Sequence, residues 1–119
     1  MSKTVLIVDD EVLIVDISKR KLQEHGFEVM TALNGEEALA QLKIKIPDLI
    51  VLDVQMPDMN GYTFILEKNK VPAYVSIPVI MVTALIKTEE VFKHHGVLAY
   101  LIKPLKLQEL VDKVVEVLK

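Results

Sequence analysis

Cysteine is absent from all 119 residues. Its absence excludes a disulfide framework and any thiolate-held metal, and it fits a reducing compartment. A basic surplus is missing as well: 14 Lys and Arg stand against 17 Asp and Glu, a net charge of −3. A domain built mainly to grip nucleic acid or an anionic membrane carries the opposite balance. No apolar run approaches the ~20 residues of a spanning helix, and the start Met1-Ser2-Lys3-Thr4 has no signal-peptide pattern. Repeats, low-complexity tracts and interdomain linkers are not visible either. The expectation is one soluble, cytoplasmic domain over residues 1–119, with no direct nucleic-acid binding and no membrane insertion. What is present is apolar: 51% hydrophobic residues, enough for a real core.

β-type runs alternate with helical patterns five times. Strands are expected at Thr4–Val8, Phe27–Ala32, Leu49–Leu52, Val79–Val82 and Leu98–Ile102. Between them, helices are expected over Glu11–His25, from the cap Asn34 to Ile44, over Tyr62–Lys70 and over Thr88–His95. Ile14, Ile17 and Leu22 mark the inner flank of the first, and Ala38, Leu39 and Leu42 that of the second. Gly26 suits a helix stop, and Asn34 with Glu37 forms a capping box. In the last helix Leu107, Leu110, Val111, Val114, Val115 and Leu118 form one apolar stripe. Five β-α units of this length predict an α/β fold, a doubly wound five-stranded parallel sheet. Right-handed crossovers favour the flavodoxin-like order 2-1-3-4-5, with a ligand crevice between strands one and three.

Polar residues end those apolar runs. Asp9 and Asp10 follow strand one, Asp53 follows strand three, and Thr83 and Lys103 follow strands four and five. Parallel strands place all of these at one edge of the sheet. Singly, each has a plain reading: Asp9 or Asp10 as a helix cap, Asp53 as a solvated strand end, Thr83 as a strand residue, Lys103 as surface. Together, three carboxylates repel unless a divalent cation offsets them, and magnesium prefers oxygen ligands. An aspartate carboxylate is a nucleophile for phosphoryl groups, and an ammonium and a hydroxyl would bind the remaining phosphoryl oxygens. The paired His94-His95 and His25 read as solvated helix ends, Met56, Met59 and Met81 as packing, and Gly61 as a backbone requirement of its turn.

Four blocks carry a resemblance. They are Val5-Leu6-Ile7-Val8-Asp9-Asp10-Glu11, the run from Asp53 through Gln55 and Pro57 to Gly61, Val82-Thr83-Ala84, and Tyr100-Leu101-Ile102-Lys103-Pro104. In this order and spacing the chain resembles a response-regulator receiver domain of two-component signalling, of the CheY type, along essentially its whole length. The resemblance implies that Asp53 accepts a phosphoryl group from a phosphohistidine on a sensor histidine kinase or a histidine phosphotransfer protein. Magnesium, or manganese, would be held by Asp10, Asp53 and the backbone carbonyl of Gln55, with Asp9 acting through water. Lys103 would pair with the carboxylate and then with the phosphoryl group, and Lys103-Pro104 would be cis. Thr83 and Tyr100 would be the switch residues, changing the face of the fourth helix, fifth strand and last helix towards a downstream protein target. The protein would be a monomer or a phosphorylation-dependent dimer, and no enzyme beyond magnesium-dependent self-phosphorylation and autodephosphorylation. No organic cofactor is implied.

The chain departs from that pattern mainly near the switch face. Thr83 to Lys103 is slightly short, Leu98 and Ala99 are apolar, and Leu85 is an apolar neighbour that would hinder water attack on an acyl phosphate. Other readings fit less well. A pseudo-receiver, acting only as a protein-binding module, has no need of the five site residues. A haloacid-dehalogenase-type phosphatase wants a second Asp where Gln55 stands, and a flavodoxin wants a hydroxyl-rich loop where Asp9-Asp10-Glu11 would repel phosphate.

Overall fold

Aliphatic runs without inside–outside alternation are stable in a sheet only when both faces are covered. The computed structural model, which describes residues 2–54, 61–84 and 97–118, buries them in that way. The strands are β1 (Thr4–Val8), β2 (Glu28–Ala32), β3 (Leu49–Asp53), β4 (Val79–Thr83) and β5 (Val97–Ile102). The helices among the described residues are α1 (Val12–Glu24), α2 (Gly35–Ile44), α3 (Gly61–Asn69) and α4 (Leu107–Leu118). All neighbouring strands are parallel, in the expected order β2-β1-β3-β4-β5. Successive side chains point to opposite faces. Leu6, Val8, Ile50, Leu52 and Met81 pack with Ala38, Leu42, Phe64 and Ile65 of α2 and α3. Val5, Ile7, Leu49, Val51 and Val82 pack with Val15, Leu22, Leu110 and Val114 of α1 and α4.

Local chemistry sets the element ends. Gly26 has φ +88°, a conformation that glycine adopts without steric cost. Around it the amide of Gly26 donates to Gln23 O and that of Phe27 to Leu22 O, a Schellman stop for α1. At α2 the Glu37 amide donates to Asn34 Oδ1 at 2.8 Å, as a capping box requires. The Glu37 carboxylate reaches one residue further back than expected and accepts from the Leu33 amide at 3.0 Å.

Two expectations need correction. Neither aspartate is the N-cap of α1; Glu11 is, without a side-chain cap bond, while Asp9 Oδ1 accepts the Glu11 amide at 2.9 Å. The inner face of α1 is Val15, Ser18 and Leu22, and Ile17 is 44% exposed. Apolar residues occupy Val12 to Val15 without a break, so the helical period alone does not choose between faces. The backbone requirement expected at Gly61 holds, through close approach and not through a positive φ: Gly61 opens α3 so close to β3 that a Cβ there would meet Val54 Cα at 2.9 Å. The helix over Thr88–His95, its His94-His95 pair, and the residues Gln55, Met56, Met59 and Leu85 lie outside the described residues.

Candidate functional site

The crevice forms where the chain changes direction. The helix after β1, α1, packs on one face of the sheet and the helix after β3, α3, on the other, so neighbouring strands β1 and β3 form a switch point. Backbone hydrogen bonds continue past the strands and fix the residues there. Asp9 N donates to Ala32 O at 3.1 Å, Val54 N to Val82 O at 3.1 Å, and Lys103 N to Thr83 O at 2.8 Å. Asp53 is the last residue of β3, paired with Val82 of β4, and Thr83 is the next along.

The structure brings Asp9, Asp10 and Asp53 together, with one carboxylate oxygen from each within 4.8 Å of the others. Asp9 and Asp53 are buried and Asp10 is exposed. Lys103 Nζ lies 3.1 Å from Asp53 Oδ1. Thr83 is buried at the end of β4, and Tyr100 is half-buried against the cluster beneath α2 and α3. The Lys103-Pro104 bond is cis. Gln55, whose carbonyl was expected to complete the cation's ligands, lies outside the described residues.

Burial and charge shape the acids. Burial pushes the Asp9 carboxyl up to about 6; the Glu11 amide hydrogen bond opposes this, and the Asp53 charge adds to it. For Lys103, burial alone would lower the ammonium's pKa. Its hydrogen bond to Asp53 and the charges of Asp53, Asp9 and Glu11 outweigh burial and hold the group above its ordinary value. Lys103 therefore stays charged through neutral pH and sits ready for an anion. One neighbour carries no role in the sequence reading. Glu11 Oε1 lies 3.8 Å from Lys103 Nζ, and its place directly after the acidic pair was the available signal. Asp9, Glu11, Ile14, Lys103, Pro104 and Leu105 line an adjoining crevice of about 200 Å³.

Hard oxygen donors at this spacing fit a small divalent cation. A buried carboxylate at 3.1 Å from an ammonium, beside two further carboxylates, suits transfer of an anionic group onto the carboxylate oxygen.

Known proteins share this sequence pattern and this fold. The family model described as response regulator receiver domain matches residues 5–115. The chain is 38% identical over 119 residues to the probable transcriptional regulator ycf27 of Cyanophora paradoxa, covering 98% of this chain and 48% of that protein. It is 36% identical over 123 residues to the alkaline phosphatase synthesis transcriptional regulatory protein PhoP of Bacillus subtilis (strain 168), covering 100% of this chain and 50% of PhoP. The chain thus spans about half the length of these curated relatives. Among solved structures, the chemotaxis response regulator CheY4 of Vibrio cholerae superposes with a TM-score of 0.92 at 32% identity, over 99% of this chain and 100% of that one.

Proposed function

The chain belongs to the response regulator receiver domains of two-component signalling, and from that premise we propose that it is a switch set by phosphorylation of Asp53. The observation that carries the proposal is the placement of Lys103 Nζ, 3.1 Å from the buried Asp53 carboxylate, with two more carboxylates in the same crevice. An Asp53 oxygen forms a bond to phosphorus while the P–N bond of a partner's phosphohistidine breaks, its electron pair leaving on the imidazole. Lys103 and the Thr83 hydroxyl bind the phosphoryl oxygens, and later attack by water returns the carboxylate and free phosphate. Asp10 and Asp53, with Asp9 through water, would hold magnesium or manganese. That cation, when bound, neutralises the acids and part of the phosphoryl charge. The chemistry is confined to the protein's own Asp53, so the chain is a switch and not an enzyme acting on outside substrates.

The donor is a histidine kinase or phosphotransfer protein, and the receiver's message is a change of shape. A phosphoryl group binds one arrangement of Thr83 and Tyr100 better and shifts the population towards it. A downstream protein then reads the face that contains β5 and α4. The test uses acetyl phosphate with and without magnesium, reading intact mass for wild type and Asp53→Ala. A magnesium-dependent gain of one phosphoryl group, lost in the variant, is expected. No gain in a protein that still binds magnesium would leave a binding module in place of a phosphorylated switch.

A further inference from the structure

Lys103 is shared between two carboxylates of different kinds. Asp53, buried, holds it from within at 3.1 Å, and Glu11, more than half exposed, faces it at 3.8 Å. Glu11 is not placed there by chance rotation of a free loop. Its amide is tied to Asp9 Oδ1 at 2.9 Å, and its backbone is the N-cap from which α1 starts. Its side chain lines the crevice together with Lys103, Ile14 and Pro104. Any phosphoryl group reaching Asp53 must recruit Lys103 as its counter-ion, and Glu11 is already drawing on the same ammonium.

Resting on the reading of Asp53 as phosphoacceptor, we propose that Glu11 is a positioning residue that acts through Lys103, weakening the lysine's hold on the phosphoryl group. Without this competitor the lysine would bind the anion more tightly, so Glu11 sets both the ease of loading and the strength of the loaded state. An ion pair at 3.8 Å in water-like surroundings, kept or lost, alters an equilibrium by up to roughly fivefold. The effect of Glu11 falls in that range.

The probe is beryllofluoride with magnesium, a mimic of the phosphoryl group, titrated by fluorine NMR into wild type, Glu11→Gln and Glu11→Asp. Acetyl phosphate labelling of Asp53 is followed in parallel. Glu11→Gln should bind the mimic about two- to fivefold more tightly and label faster by a similar factor, with an unchanged melting temperature. Glu11→Asp keeps the charge and should stay near wild type. The gain should fade between about 0.01 M and about 1 M salt, as the screening length falls from about 30 to about 3 Å. In a Lys103→Met background the same Glu11→Gln change should move mimic affinity by less than about twofold. Equal affinity of Glu11→Gln and wild type, or the same gain with the lysine removed, would overturn the proposal. If wild type binds neither mimic nor phosphoryl group, the phosphoacceptor reading fails instead, and the two failures are told apart.

Discussion

Lys68 is fully buried on the inner face of α3, with Gly61, Phe64 and Ile65. Its ammonium donates to Asn69 Oδ1 at 3.0 Å and to the Val75 carbonyl at 3.3 Å, and among the described residues no carboxylate pairs with it. Burial lowers its pKa from 10.5 to about 8. In the unfolded chain the group holds its proton up to the ordinary value; in the folded protein it releases it earlier. The unfolded state therefore binds more protons between pH 8 and 10.5, and stability from this group rises with pH across that window. At pH 7 the group is charged in both states and the full cost of burying it is present. Lys68→Met should stabilise the protein by about 1–3 kcal/mol at neutral pH and flatten the rise, as denaturant midpoints at pH 7 and pH 10 would show. A loss of stability in the variant would mean that the two hydrogen bonds outweigh desolvation. Lysine composition suggests a solvated position, and only the spacing from Phe64 and Ile65 reveals this one. The aspartates, Thr83 and Lys103 were legible for the opposite reason: a polar residue ending an aliphatic strand falls at the sheet edge.

Elements were legible wherever their ends carry distinctive chemistry. Gly26 and the Asn34–Glu37 pair mark helix boundaries through backbone hydrogen bonds that the residue types themselves dictate. The inner face of α1 was not legible, because Val12, Leu13, Ile14 and Val15 offer several apolar faces and only packing against the sheet and α4 decides among them. β5 shows another tertiary effect. Its pairing with β4 slips between Val79 and Ile80, so that Val97 and Ala99 oppose them and Leu98 is left 61% exposed, while Ala99 packs inward. The start of α3 lies close against the end of β3. Gly61 N donates to Val54 O at 2.8 Å, and a methyl group at Gly61 would press on Val54 Cα at 2.9 Å and Asp53 O at 3.1 Å. Gly61→Ala should therefore cost about 1–3 kcal/mol and slow Asp53 labelling, since it pushes on the backbone that holds the phosphoacceptor. Wild-type stability and labelling in that variant would show that α3 moves away without strain.

At the scale of the whole molecule, the crevice is a local conflict held by a sheet that is buried on both sides. β1, β3 and β4 are covered at every position, and this rigidity keeps three carboxylates within 4.8 Å of one another when they would separate if free. Lys103 offsets part of the repulsion at Asp53, but Asp10 remains at the open edge. A cation that binds only the folded arrangement stabilises it by mass action, by about 1.4 kcal/mol at roughly ten times its dissociation constant. For a domain of this size that corresponds to a melting temperature higher by about 3–7 °C. Magnesium should produce that rise in the wild type, and sodium chloride at matched ionic strength should give much less, because general screening does not bridge carboxylates. Asp10→Asn should lose most of the magnesium effect while keeping its fold, since its side chain is exposed and the sheet does not depend on it. Equal stabilisation by the two salts would mean that the acids do not share a cation, and the repulsion must then be relieved within the protein, through Lys103.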